Sequence, residues 1–231
     1  MTLHVNTRAN PVNGRLLRHL KRSPNSGLSP VYLRQRTKAI ELVENESLLQ
    51  AVFTFNRLPV EDINGSQLKV ADRQLDAKLL IPDSGELTAL CFGACTLGPK
   101  LEQRVTELFQ QRRASLALAL DSLGTELLFE LGRRLHDRIV IDCRRQGLSV
   151  GQDLHAGDPG LELSAQATVL ELAEAQKIGI NLHNSNLLQP LKSSSVVFAV
   201  GKDLPKPNWS RCDHCPSRER CRLTQNSRDA A

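Results

Sequence analysis

Aromatic residues are scarce in this 231-residue chain: six Phe, one Trp and one Tyr, or 3% of the total. A platform for single-stranded nucleic acid stacks bases on several exposed rings, so this sequence has little to build one from. Long apolar runs are missing too. Nothing approaches the roughly 20 consecutive apolar residues of a membrane span, and the N-terminus lacks the apolar segment of a secretory signal. The expectation is a cytoplasmic protein without a membrane partner. No Ser/His/Asp order, paired-carboxylate pattern, phosphate-cradling glycine loop or H-E-x-x-H can be assigned, which leaves hydrolase and kinase chemistry unsupported.

Acidic residues are absent from the first 40 positions, which hold eight Lys/Arg. The net charge of +5 is therefore divided unevenly: +8 in residues 1–40, +3 in residues 202–231 and −6 between them. Local charge sets the field a partner meets, so a basic wrap around an acidic body points to contact with an acidic protein or a nucleic acid. A nucleic acid has only this charge in its favour, with no recognised binding module behind it, and is not expected.

What is present suits a folded chain. With 40% apolar and 24% charged residues, it can close one sizeable core or two small lobes. Three stretches are expected: a basic N-terminal arm over 1–30, an α+β body over 31–201 and a basic cysteine-rich tail over 202–231. Within the arm, Pro11, Pro24, Gly14 and Gly27 leave room only for a short helix over Arg15–Lys21. Leu33, Ile40, Val43, Leu48 and Val52 predict a helix from Pro30 to Phe55, followed by a loop from Asn56. Glu86–Cys95 reads as a buried strand, and Pro99 suits the first turn of a helix. Residues 100–143 carry a sustained apolar stripe that predicts two helices broken near 111–114. Three glycines and a proline predict a loop over Gly151–Gly160. Ser164 is placed to cap a helix that runs to Lys177 and stops at Gly179, and Ser193–Gly201 reads as a strand. Strands mixed with long helices, without strict alternation, argue for an α+β fold.

The six cysteines fall into a tail cluster and a body set. Cys212, Cys215 and Cys221 lie within ten residues in a C-x2-C-x5-C spacing, beside Arg211, Arg218, Arg220 and Arg222. A C-x2-C turn brings two thiols to one ion, and guanidinium charge beside a thiol favours the ligating anion. This predicts a zinc site or an iron–sulfur cluster. His214 lies inside the C-x2-C loop, where chelating the same ion is awkward, so a distant cysteine is the better fourth ligand, with Cys95 the candidate. Cys91 and Cys95 share one face of the expected strand, and their other reading is plain core packing.

The run Lys177–Ser195 resembles the signature of the activation domain of cobalamin-dependent methionine synthase, in which a helix ends at an "hGhxLTES" turn and continues "MxPxKSVS" into a strand. Ile178, Gly179, Leu182, Ser185, Pro190, Lys192, Ser193 and Ser195 match. Upstream, Thr96, Gly98 and Glu102 resemble a "TxGxxxE" position of stand-alone relatives, and Leu120, Asp121 and Gly124 an "LDxxG" position. Those relatives often carry a C-terminal C-x2-C-x5-C. The resemblance covers roughly residues 85–221.

It implies a twisted antiparallel sheet flanked by helices. It also implies a role in returning an oxidised corrinoid to service by reduction and methylation, with cobalamin carried in trans by a methyltransferase partner. Asp158, Pro159, Gly160, Ser185, Pro190 and Lys192 become candidate cofactor-binding residues. The family's "RxSPGYGD" segment aligns with residues around Asp158, where Pro159 and Gly160 keep the Pro-Gly, but Ala156 replaces the arginine and Leu161 the tyrosine. A carboxylate-binding guanidinium and a ligand-packing ring are both missing, so S-adenosylmethionine binding is expected to be weak or absent. The alternative function is a non-catalytic, metal-stabilised interaction module.

Overall fold

The computed structural model describes residues 9–22, 29–183, 186–207, 209–210, 212–213, 215 and 218–220. Two helices come first, α1 (Ala9–Arg22) and α2 (Pro30–Asn45). The second starts at Ser29, whose hydroxyl accepts from the Tyr32 N–H, with Pro30 in the first turn. Strand β1 (Val52–Pro59) follows, then a small antiparallel meander of β2 (Asp62–Asn64), β3 (Gln67–Val70) and β4 (Arg73–Asp76), and the long strand β5 (Glu86–Thr96). Helices α3 (Lys100–Gln110) and α4 (Ala114–Arg144) lead to β6 (Ser149–Leu154) and α5 (Gln166–Leu172). The short pair β7 (Asn181–Leu182) and β8 (Leu188–Gln189) precedes β9 (Ser193–Lys202).

The main sheet has the order β1-β5-β9-β6, with every neighbouring pair antiparallel. Its central strands are apolar on both faces because both faces are covered. Side chains alternate along a strand, so Cys91, Cys95, Val196 and Phe198 join the leucines of α3 and α4 in one core. Phe92, Ala94, Val197 and Ala199 pack on the other side with α5 and the meander. Helix α4 sits close on the sheet. A methyl group at Gly93 would stand 3.0 Å from Leu135 Cδ2 and 3.3 Å from Val196 Cγ1. The expected α+β class, with an antiparallel sheet flanked by helices, is what the chain adopts.

Several local expectations change. Helix α1 begins at Ala9 and passes through Gly14, and it packs this part of the segment read as an arm into the body. Leu16 and Leu20 are in the core, each worth roughly 1.5–3 kcal/mol of burial. Asn13 adds a clamp, donating to Leu49 O at 2.8 Å and accepting from the Ala51 N–H at 3.0 Å. Helix α2 ends at Asn45, not Phe55, and Val52–Pro59 is a strand. The helical spacing of Leu48 and Val52 was incidental: Val-Phe-Thr-Phe suits a pleated surface, and β5 offers a partner along its whole length. Gly151–Leu154 belongs to β6, not to a loop. The helix expected to run to Lys177 is interrupted where Glu174 takes a left-handed conformation, and it resumes as a 3-10 turn ending at Gly179. Ser164 does not cap it, because its hydroxyl donates to Glu162. Among the described residues no helix is long and apolar enough to cross a membrane.

Candidate functional site

The motifs that carry the resemblance meet at one end of the sheet. Where β5 ends, the Leu97 N–H donates to Lys192 O at 2.9 Å, and the Thr96 hydroxyl accepts from the Gly98 N–H at 3.0 Å and from the Ser193 hydroxyl at 2.8 Å. The Lys192 ammonium crosses to α4, 2.8 Å from Asp121 Oδ1 and 3.0 Å from Thr125 Oγ1. Gly124 makes room for that crossing: a methyl there would lie 3.2 Å from Lys192 Cε and 2.9 Å from Leu101 Cδ2. The Glu102 carboxylate accepts the Leu191 N–H. These residues form a clasp that fixes the loop before β9 to α3 and α4. Lys192 is thus engaged within the protein. Pro190, after a cis peptide bond, lines a cleft of about 750 Å³ beside Thr96, Gly98 and Glu102. Ser185 lies outside the described residues.

Asp158, Pro159 and Gly160 lie elsewhere, in the turn between β6 and α5. Asp158 holds that turn together. Its carboxylate accepts the His155 N–H at 2.8 Å, its N–H donates to His155 O at 2.9 Å, and its carbonyl accepts the Leu161 N–H at 3.0 Å. Pro159 is exposed, and Gly160 lies against Leu79. Leu161, at the position of the family's tyrosine, is 1% exposed in the core. The turn therefore presents no ring to a ligand there.

A second cavity, of about 760 Å³, opens between α4, the start of β9, the end of β6 and the C-terminal segment. It shares no lining residue with the cleft at the clasp. His155 is its central polar group, with Nδ1 3.5 Å from Ser194 Oγ and Nε2 4.0 Å from Asp153 Oδ2. His136 faces Phe198 with ring centroids 5.5 Å apart, and Arg133 and Trp209 complete the wall. Two imidazoles, a guanidinium, carboxylates and an indole can take up an anionic or zwitterionic ligand with an apolar body.

Cys95 forms part of the inner wall of this cavity. Burial pushes its thiol up to about 12, against a hydrogen bond from the Ser194 backbone. Burial raises the Cys91 and Cys143 thiols as well, with the Arg57 charge opposing in both. All three are core thiols held in the protonated form. Cys212 and Cys215 lie in one turn, where the Cys215 N–H approaches Cys212 O at 3.5 Å and an Arg218–Asp213 ion pair of 2.9 Å braces it. Two thiols in such a turn suit a thiophilic ion. Among the described residues no three His, Cys, Asp or Glu side chains are gathered to hold a metal, so Cys95 is not brought into a group with this pair. Cys221 and His214 lie outside the described residues.

No protein-family model and no curated protein matches the chain. A solved structure does: the MetH reactivation domain bound to AdoHcy superposes with a TM-score of 0.63, covering 91% of this chain and 78% of that one at 15% identity. The fold is that of the MetH reactivation domain. Within this reactivation-domain fold, Thr96, Glu102, Asp121, Gly124, Pro190 and Lys192 converge, and Asp158 is joined to the same end of the sheet through His155, whose ring approaches Ser194. Sequence reasoning missed His155, His136 and Trp209. The lone tryptophan, three residues before the first tail cysteine, was the available signal.

Proposed function

We propose that this protein is an accessory factor for reductive activation or methyl transfer at a cobalamin protein, with the corrinoid carried by the partner. The observation that carries the reading is the reactivation-domain fold spanning 91% of the chain. The clasp supports it, since the residues that resemble the family signature hold one loop in place. In the neighbouring structure the fold is bound to AdoHcy. Here Ala156 and the buried Leu161 leave out the guanidinium and ring that the resemblance associates with adenosylmethionine, which supports a contribution by docking and by a cysteine centre. Cys212, Cys215 and Cys221 would hold that centre. An iron–sulfur cluster would supply one-electron chemistry and zinc only a structural brace.

The test uses the full chain, purified without oxygen and immobilised, to capture partners from native extract, read by corrinoid absorbance and protein identification. Enrichment of a corrinoid methyltransferase subunit that weakens as salt rises from about 50 to 500 mM supports the reading, because the basic ends steer the encounter. Recovery of nucleic acid alone, or of nothing, overturns it.

The second reading, a metal-stabilised interaction module without catalysis, is favoured by those same replacements at Ala156 and Leu161. Colour separates the two. A broad absorption at about 400 nm marks an iron–sulfur centre, whereas zinc, with a filled d shell, gives none.

A further inference from the structure

Three primary amides stand on the cleft beside the clasp: Gln50, Asn181 and Gln189. All three side chains are exposed, and none is hydrogen-bonded among the described residues. The wall between them is apolar at Val52, Ile178 and Pro190.

The backbone holds each amide in place. Asn181 and Gln189 are opposite one another in the β7–β8 register, so their side chains stand together on one face of the hairpin. On the side of the main sheet, the Gln50 N–H donates to Leu97 O at 2.9 Å and the Gln50 side chain lies over Gly98. Only glycine permits this. A methyl at position 98 would stand 2.6 Å from Gln50 Cβ and 2.9 Å from Gln50 Oε1, and the backbone there is left-handed, with φ of 79°. Glu102 adds an acceptor: one carboxylate oxygen takes the Leu191 N–H, and the other has no partner among the described residues. The cation on the wall, Lys177, is engaged by Glu174 at 2.6 Å.

Those groups define what the cleft can hold. With its lysine engaged and a carboxylate on its wall, it offers no counter-charge to a phosphate or carboxylate. A primary amide donates two N–H bonds and accepts at its oxygen, and the group that complements both at once is another amide. The matching ligand is neutral, with amides arrayed on an apolar frame. Resting on the corrinoid partner proposed above, we infer that the cleft receives the rim of that partner's corrinoid, whose ring periphery bears acetamide and propionamide groups. The clasp then has a purpose. Lys192 and Glu102 hold the loop that follows Gln189, so the hairpin amides keep their place relative to Gln50.

The full chain is dialysed against dicyanocobinamide, whose rim carries primary amides, and separately against dicyanocobyrinic acid, whose rim carries carboxylates, with bound corrinoid read by absorbance. Cobinamide is expected to bind, and the acid to bind about tenfold more weakly or less, because its charges meet Glu102 with no free cation. Asn181→Ala and Gln189→Ala change exposed side chains, so both should keep the parent's circular dichroism while weakening cobinamide about fivefold, the loss of one hydrogen bond. Gln111→Ala, exposed at the far end of α3, should bind as the parent does. Equal binding of the two corrinoids, no binding of cobinamide, or parent-like affinity in both hairpin variants overturns the assignment of the cleft. Capture from native extract judges the partner separately: recovery of a corrinoid methyltransferase subunit by the parent and by Gln189→Ala alike leaves the partner standing and removes the cleft.

Discussion

Lys192 Nζ stands 2.8 Å from Asp121 Oδ1, joining the loop before the last strand to the N-terminal third of α4. The lysine is largely buried, with its side chain 14% exposed, and the aspartate is half exposed at 49%. The pair is therefore screened on one side only. Its role is to set where the loop lies, so the residues that resemble a cofactor signature act here first as fasteners.

Replacing the lysine tests this. Lys192→Met keeps the apolar stem and removes the charge. Asp121 can recover water, so the loss should be about 1–2 kcal/mol, read by urea unfolding. Asp121→Asn should cost at least as much, because it leaves a largely buried ammonium with Thr125 as its acceptor and no counter-charge. Unchanged unfolding of Lys192→Met would show that the loop is held by its main-chain bonds alone.

A second ion pair fastens α2 to α4. Arg36 is 6% exposed and pairs with Glu126 through both terminal nitrogens, at 2.8 and 3.1 Å. Glu126→Gln leaves a guanidinium with little access to water, and such breaks cost about 3 kcal/mol or more. Lys21→Ala, at an exposed pair with Glu44, should cost less than about 1 kcal/mol. Similar losses for the two variants would remove the distinction.

The core thiols predict alkaline sensitivity. Their ordinary ionisation is near 9.0, and burial raises all three, Cys95 to about 12. The folded state therefore keeps protons that the unfolded chain gives up. That stability is fully present below pH 9, and for Cys95 it declines from there to about 12. Linkage sets the slope at about 1.4 kcal/mol per pH unit for each such thiol. Denaturation at pH 8 and pH 10.5 should show a drop that is smaller in Cys95→Ala when each protein is compared with itself. Thiol labelling of the native protein at pH 8 should spare Cys91, Cys95 and Cys143.

Adenosylmethionine should bind weakly or not at all by calorimetry. Leu161→Tyr should not restore binding, because position 161 is inside the core; the larger side chain should instead destabilise by about 1–3 kcal/mol. Micromolar affinity in the parent protein would contradict this.

Cys215→Ser should lower bound metal by more than about half, the expectation for losing one of a few ligands. Elemental analysis of protein purified without oxygen decides it. Iron and zinc contents equal to those of the parent would exclude Cys215 as a ligand.

The sequence by itself determined the elements whose signal is local. The apolar runs of β5 and β9, the stripe of α3 and α4 with its break, the stop at Gly179 and the C-x2-C spacing are all readable from neighbours a few positions apart. Partnership was decided only by tertiary structure. The order β1-β5-β9-β6 sets side by side strands that are remote in the chain, and it turns Val52–Pro59 from an apparent helix end into an edge strand by giving it β5 to pair with. The same placement turns part of a basic arm into a core helix through Leu16 and Leu20, assigns Lys192 to Asp121, and puts Trp209 against Gln152. Periodicity reports which face of an element is apolar. It carries no information about which distant face will cover it, and the cavity and the clasp are both made at those covered faces.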